Sequence, residues 1–161
     1  MEAVMKLKDY QYLYNAAAYF AARERFGAKE RAELDTLRMS AGEEMQQSAE
    51  FKEEEKQLQA KIDQKDFVAM LFTKSAEGFD ALCWAIVELS TQAELQNRYM
   101  GRDPREMLHM ERVRVELKPT QVAEARAMIM NAIVKGISPA ENENAEVDEV
   151  LEQLQKKTGN P

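Results

Sequence analysis

Cysteine and histidine are nearly absent: among 161 residues there is one of each, Cys83 and His109. A lone thiol excludes an internal disulfide and suits a reducing compartment. With no Cys pair and no His pair, the usual zinc ligand sets cannot be assembled. No Glu-x-x-His motif of the di-iron bundle type is expected either. Glycine is sparse, six residues in all, and scattered, so no phosphate-cradling loop is present. Long apolar runs are missing too. The longest, Ala81 to Val87, falls far short of the about 20 residues that span a bilayer. The mixed, charged stretch from Met1 to Tyr10 lacks the apolar core of a signal peptide. The expectation is a soluble cytoplasmic protein that makes no membrane contact.

What the chain has in plenty is negative charge and hydrophobic residues. Lys and Arg number 22 against 29 Asp and Glu, a net charge of -7. A negative field repels phosphate backbones, and no dense Lys/Arg cluster offsets it, so no nucleic-acid partner is expected. Hydrophobic residues make up 45%, enough for one domain with a modest core.

The patterning predicts a mainly α fold, a small helical bundle opened by a short N-terminal β-strand or hairpin. In the stretch from Val4 to Asn15, Tyr10, Tyr12 and Tyr14 alternate, and aromatics at period two favour a strand. Asn15 is a good N-cap for a helix from Ala16 to Phe26, and Gly27 suits a left-handed terminus. Residues 28–63 are polar, free of proline and strong in helix propensity, with Gly42 set to break them into two helices. Within them the run Lys52 to Lys56 reads as a solvated face.

The core is expected in the centre. Phe67, Met70 and Leu71 share a face, and Gly78 interrupts. Phe79, Leu82, Cys83, Ile86 and Leu89 then follow helical spacing to about Tyr99, with Gly101 as terminator. A helix apolar nearly all round belongs in the middle of a bundle. Trp84, Leu82, Ile86 and Ile129 should be buried. Asp103 before Pro104 predicts a helix start running through Met107 and Met110. Val113, Val115 and Leu117 alternate as a short strand would. Pro119 or Thr120 opens a last helix, with Val122, Ala125, Ile129 and Ile133 on one face and Gly136 closing it. Residues 1–137 form the helical domain, with 28–63 as a charged helical insertion. An acidic tail, 138–161, follows, in which Val147, Val150, Leu151 and Leu154 lie at helical spacing.

Chemistry is hard to place on this pattern. Cys83 falls in the most apolar helix, where a thiol behaves as a small hydrophobe. His109 sits alone among Met107, Leu108 and Met110. Glu43, Glu44 and Glu53 to Glu55 have nothing to desolvate them. No catalytic residue, metal ligand or cofactor is expected. Methionine is abundant, at ten residues, and methionine is over-used on surfaces that adapt to partners. Met107, Met110, Met128 and Met130 are therefore the candidate partner-binding residues.

Three stretches carry a family resemblance: KLKDYQYLYNAAAYFAARERFG from Lys6 to Gly27, FDALCWAIVEL from Phe79 to Leu89, and AIVKGI from Ala132 to Ile137 ahead of the acidic tail. In this layout the chain resembles the tail assembly chaperones of long-tailed phages and prophages of Gram-positive bacteria. The resemblance implies a non-enzymatic factor that binds the tail tape measure protein, helps the tail tube protein polymerise around it, and is absent from the finished tail. It also implies a longer frameshifted product, with which the Lys156-Lys157 pair is compatible. Several copies would serve one tape measure, and homo-oligomer formation stays open. The polar segment 28–63 departs from the family by its size. The alternative is a helical adaptor or regulatory subunit of an unrelated bacterial complex.

Overall fold

The longest helix organises the rest. In the computed structural model, which describes residues 5–138, it runs from Ala76 to Tyr99. In chain order the α-helices among the described residues are α1 (Ala16–Arg25), α2 (Ala28–Ser40), α3 (Glu43–Gln46), α4 (Ala49–Lys65), α5 (Phe67–Leu71), α6 (Ala76–Tyr99), α7 (Met110–Glu116) and α8 (Val122–Ile137). Short 3-10 turns stand at Leu7–Asp9 and Pro119–Gln121. The fold is a small, mainly α bundle, with no β-strand among the described residues. None of these helices is long and apolar enough to cross a membrane.

Helix α6 is central because its apolar residues point in several directions at once. Ala81, Leu82, Cys83, Ala85, Ile86 and Leu89 are all essentially inaccessible to solvent. Helices α1, α5, α7 and α8 pack around them. Ile129 of α8 and Val113 of α7 complete the same core. Truncating one such Leu or Ile to Ala should cost about 2–5 kcal/mol. Trp84 is only half buried and does not sit in the core as expected. Its indole stands edge-on to Phe26 and Phe67 at 5.3 and 5.5 Å between ring centres, with Arg25 over it at 5.8 Å. It therefore seals the joint of α1, α5 and α6 from outside.

The polar segment folds as a helical arm. Arg38 near the end of α2 pairs with Glu55 in the middle of α4 at 3.1 Å, and Gly27 before α2 lies against the Lys65 carbonyl ending α4. The two helices therefore run antiparallel. Between them Leu34, Phe51 and Ile62 are buried, and none of the three belongs to the main core cluster. Gly42 does break the segment, but into three helices, because Ser48 caps α4 by accepting the Phe51 N–H at 3.2 Å. Lys52, Glu53, Glu54 and Lys56 are exposed, as a solvated face should be.

Four local expectations fail for physical reasons. The N-terminal strand is instead a 3-10 turn followed by an extended stretch with no partner strand. Tyr10, Tyr12 and Tyr14 pack against the core while Gln11 between them is exposed, so the alternation reports burial of aromatics along extended backbone. Asp103 and Pro104 start no helix. The next N–H, that of Arg105, is taken by the Glu94 carboxylate at 2.6 Å, and α7 begins only at Met110. Val113, Val115 and Leu117 are not a strand. Val113 and Leu117 are buried one helical turn apart while Val115 is 84% exposed. Gly78 does not interrupt α6. It lies in the first turn, and the break falls just before Ser75, whose hydroxyl accepts the Gly78 N–H.

Other termini fall where the residue types place them. Asn15 accepts the Ala18 N–H at 2.9 Å, and Gly27 and Gly101 take φ of 72° and 75°. Helix α8 follows the Pro119 turn with Ala125, Ile129 and Ile133 inward. Gly136, expected to close α8, does not: it sits inside the last turn with no positive φ, pressed against Tyr14, and the helix runs on to Ile137. The acidic tail from 139 onward lies outside the described residues.

Candidate binding cleft

The extended N-terminal stretch is strapped across α6 and α8 by long-range bonds. Leu13 N–H donates to the Leu89 carbonyl at 3.0 Å, Asn15 Nδ2 to Gln92 Oε1 at 3.1 Å, and Gln121 Nε2 to the Met5 carbonyl at 2.7 Å. Tyr12 donates its hydroxyl to the Leu7 carbonyl at 3.0 Å. Burial, helped by the neighbouring Tyr10 and Glu124, pushes its phenol well above the usual tyrosine range.

A polar clamp sits beside the strap. Glu94 and Asn97 are buried charged and polar residues of α6, 5% and 6% exposed. Asn97 donates to Gln11 Oε1 at 3.1 Å and accepts from Arg102 at 2.9 Å. Glu94 accepts from Arg105 N–H and from Arg98 Nε at 3.0 Å. The Arg105 backbone bond is the main reason its carboxyl is held below the ordinary range, against the opposing effect of burial and with help from Arg98.

Strap, α6 and α8 border an open cleft of about 510 Å³. Gln11, Tyr12 and Leu13 form one wall, Ala93 and Gln96 the floor, and Met128, Asn131, Ala132 and Lys135 the other wall, with Arg102 at the rim. Its charged residues are Arg102 and Lys135, with no carboxylate in the lining. Neither cation makes an ion pair with a described residue. A second cleft of about 500 Å³, under the arm, mixes Arg23, Arg31 and Arg38 with Asp35, Asp63 and Asp66. There Arg31 already spends its guanidinium on the Phe26 and Arg23 carbonyls. The first cleft thus offers uncompensated charge beside apolar surface, and the second is largely self-neutralised.

The candidate methionines divide. Met128 lines the first cleft, whereas Met107, Met110 and Met130 do not. Met130 is two residues further along α8, about 200° around the helix, and, like Met110, is partly buried against the core. Met107 is half buried in the irregular stretch before α7. Tyr12, Leu13, Arg102 and Lys135 were not among the sequence candidates. Part of the signal was available: Met128, Asn131, Ala132 and Lys135 stand at i, i+3, i+4 and i+7, one face of a helix. The strap's share was not, because it depends on bonds between residues 76 to 116 positions apart.

Cys83 is fully buried, and burial pushes its thiol up to about 11, with Arg114 opposing and Asp80 adding. His109 is exposed at the start of α7, and its side chain caps nothing. The chain does contain one Glu-x-x-His spacing, Glu106 to His109. It falls in the irregular stretch, where Glu106 is held by Arg112 at 2.8 Å. Among the described residues no group of three or more His, Cys, Asp or Glu is placed to hold a metal ion. Comparison with known protein families, curated proteins and solved structures finds no match for the chain.

Proposed function

We propose that this chain is a non-enzymatic protein-binding module whose cleft between strap, α6 and α8 receives an amphipathic helix. The observation that carries the reading is the cleft's composition. It pairs apolar surface from Tyr12, Leu13, Met128 and Ala132 with two cations that no described carboxylate answers. Helix-in-groove recognition uses such a layout, the apolar strip giving affinity and the charges giving register. Methionine lets the wall adapt to more than one sequence.

The resemblance to tail assembly chaperones supplies the partner in this reading: a long, helical, aggregation-prone tape measure protein, with the tail tube protein recruited alongside. The acidic surface keeps such a complex soluble, since net charge opposes self-association. The test is co-expression with the tape measure protein of the same gene neighbourhood. Soluble tape measure should rise several-fold, and Met128→Asp should abolish the gain while leaving the helical content unchanged. No gain with the unaltered chain, and no tail tube protein retained in a pull-down, would refute the assignment.

The adaptor reading has one observation of its own, the arm of α2 and α4. Its buried contacts are separate from the main core, and its charged outer faces are free to present to a different complex. An arm whose removal abolishes partner capture, with Met128→Asp harmless, would favour it.

A further inference from the structure

We propose that the cleft is a self-docking site, occupied in the free protein by the chain's own acidic segment 147–154. The wall that α8 gives the cleft carries Met128, Asn131, Ala132 and Lys135 at i, i+3, i+4 and i+7. The segment carries Val147, Val150, Leu151 and Leu154 at the same intervals. Apolar residues at that spacing can lie along a helix face of the same repeat, which on α8 is about 10 Å long.

Charge completes the match. The cleft presents Arg102 and Lys135 and no carboxylate. Around its apolar strip the segment carries Asp148, Glu149 and Glu152, with Glu146 just ahead of it. Seated in the cleft, that strip covers Tyr12, Leu13 and Met128 while its carboxylates meet the rim cations.

Connection and reach agree. Helix α8 ends at Ile137, two residues past Lys135 at one end of the cleft. Its C-cap, Ser138, already has extended backbone, with ψ of 145°. Residues 138–146, drawn out, reach roughly 30 Å, well beyond the about 10 Å from Lys135 back to Met128. A tether this short gives an effective concentration in the millimolar range, about enough to populate a weak contact. A binding partner would have to displace the segment, so the cleft is autoinhibited. This rests on the cleft's geometry and not on the identity of any partner.

The test uses the full chain with two introduced cysteines, Asn131→Cys with Val150→Cys. Buried Cys83 stays out of the reaction. A control pair places the first cysteine on the arm, Thr36→Cys with Val150→Cys. Under mild oxidation of dilute protein the cleft pair should close an intramolecular disulfide about tenfold faster than the control. Adding Lys135→Glu, which breaks no structural hydrogen bond, should slow closure several-fold, and so should high salt. Helical content and Trp84 fluorescence check that each variant is folded. Equal rates for the two pairs would overturn the proposal, as would indifference to Lys135→Glu. Disulfides forming only between molecules would overturn it in favour of a second copy as occupant.

Discussion

At the scale of single residues, the tightest constraint is Gly78. A Cβ there would stand 1.8 Å from the Thr73 carbonyl oxygen, so the turn before α6 closes only over a bare backbone. Gly78→Ala should destabilise by about 1–3 kcal/mol or more. Gly42, with φ of −71° and nothing within 4 Å of a built Cβ, gives the contrast. Gly42→Ala should be neutral or stabilise by about 0.4–1 kcal/mol, by narrowing the unfolded ensemble. Thermal unfolding of the two variants side by side decides it, and equal melting temperatures would mean that the turn before α6 accommodates a methyl group. Cys83 makes a second prediction at this scale. A thiol pushed up to about 11 and fully buried should react with a disulfide reagent near neutral pH only as fast as the domain opens. Rapid labelling of the folded protein would contradict its burial.

At the scale of elements, the clamp between α6 and the stretch before α7 sets an acid limit. The Glu94 carboxyl is held below its ordinary range, so the folded state favours the charged form. Its stabilising contribution is complete above the ordinary carboxylate value and is lost as pH falls through the depressed one. Glu94→Gln should therefore lower the melting temperature near neutral pH, and the gap to the parent should close in strong acid. A gap that stays constant into acid would show that Glu94 is not the titrating group. The same clamp explains what could not be read from the sequence. Asp103 and Pro104 have the right identities for a helix start, but Glu94, eleven residues before Arg105, claims the next backbone donor. Short alternations were ambiguous for a related reason. Tyr10, Tyr12 and Tyr14 and the pair Val113 and Leu117 each mark burial against the core, which extended strap and helix both provide. The legible elements were those whose signals are local: Asn15 and Gly27 bounding α1, the apolar block of α6, and the inward face of α8. Met128 came through as a site residue because it belongs to such a face. Tyr12 and Leu13 did not, because their role exists only once α6 and α8 are in place.

At the scale of the whole molecule, the arm of α2 and α4 leaves and rejoins the bundle at nearly one point. The Lys65 carbonyl lies 3.7 Å from where a Cβ on Gly27 would stand. Replacing residues 28–65 with a short glycine linker should therefore keep the bundle folded, because little closure entropy is added. Trp84 fluorescence and a cooperative melt would show the surviving joint of α1, α5 and α6. A chain that no longer folds would mean the arm supports the core. The strap has the opposite character. Met5 is tied to Gln121 and Tyr14 lies against Gly136, so the strap is seated by residues made more than a hundred positions after it. Ribosomes add roughly 5–20 residues each second. The strap, with its buried Met5, Leu7 and Tyr14 still bare, thus waits several seconds on the nascent chain before α8 emerges to receive it.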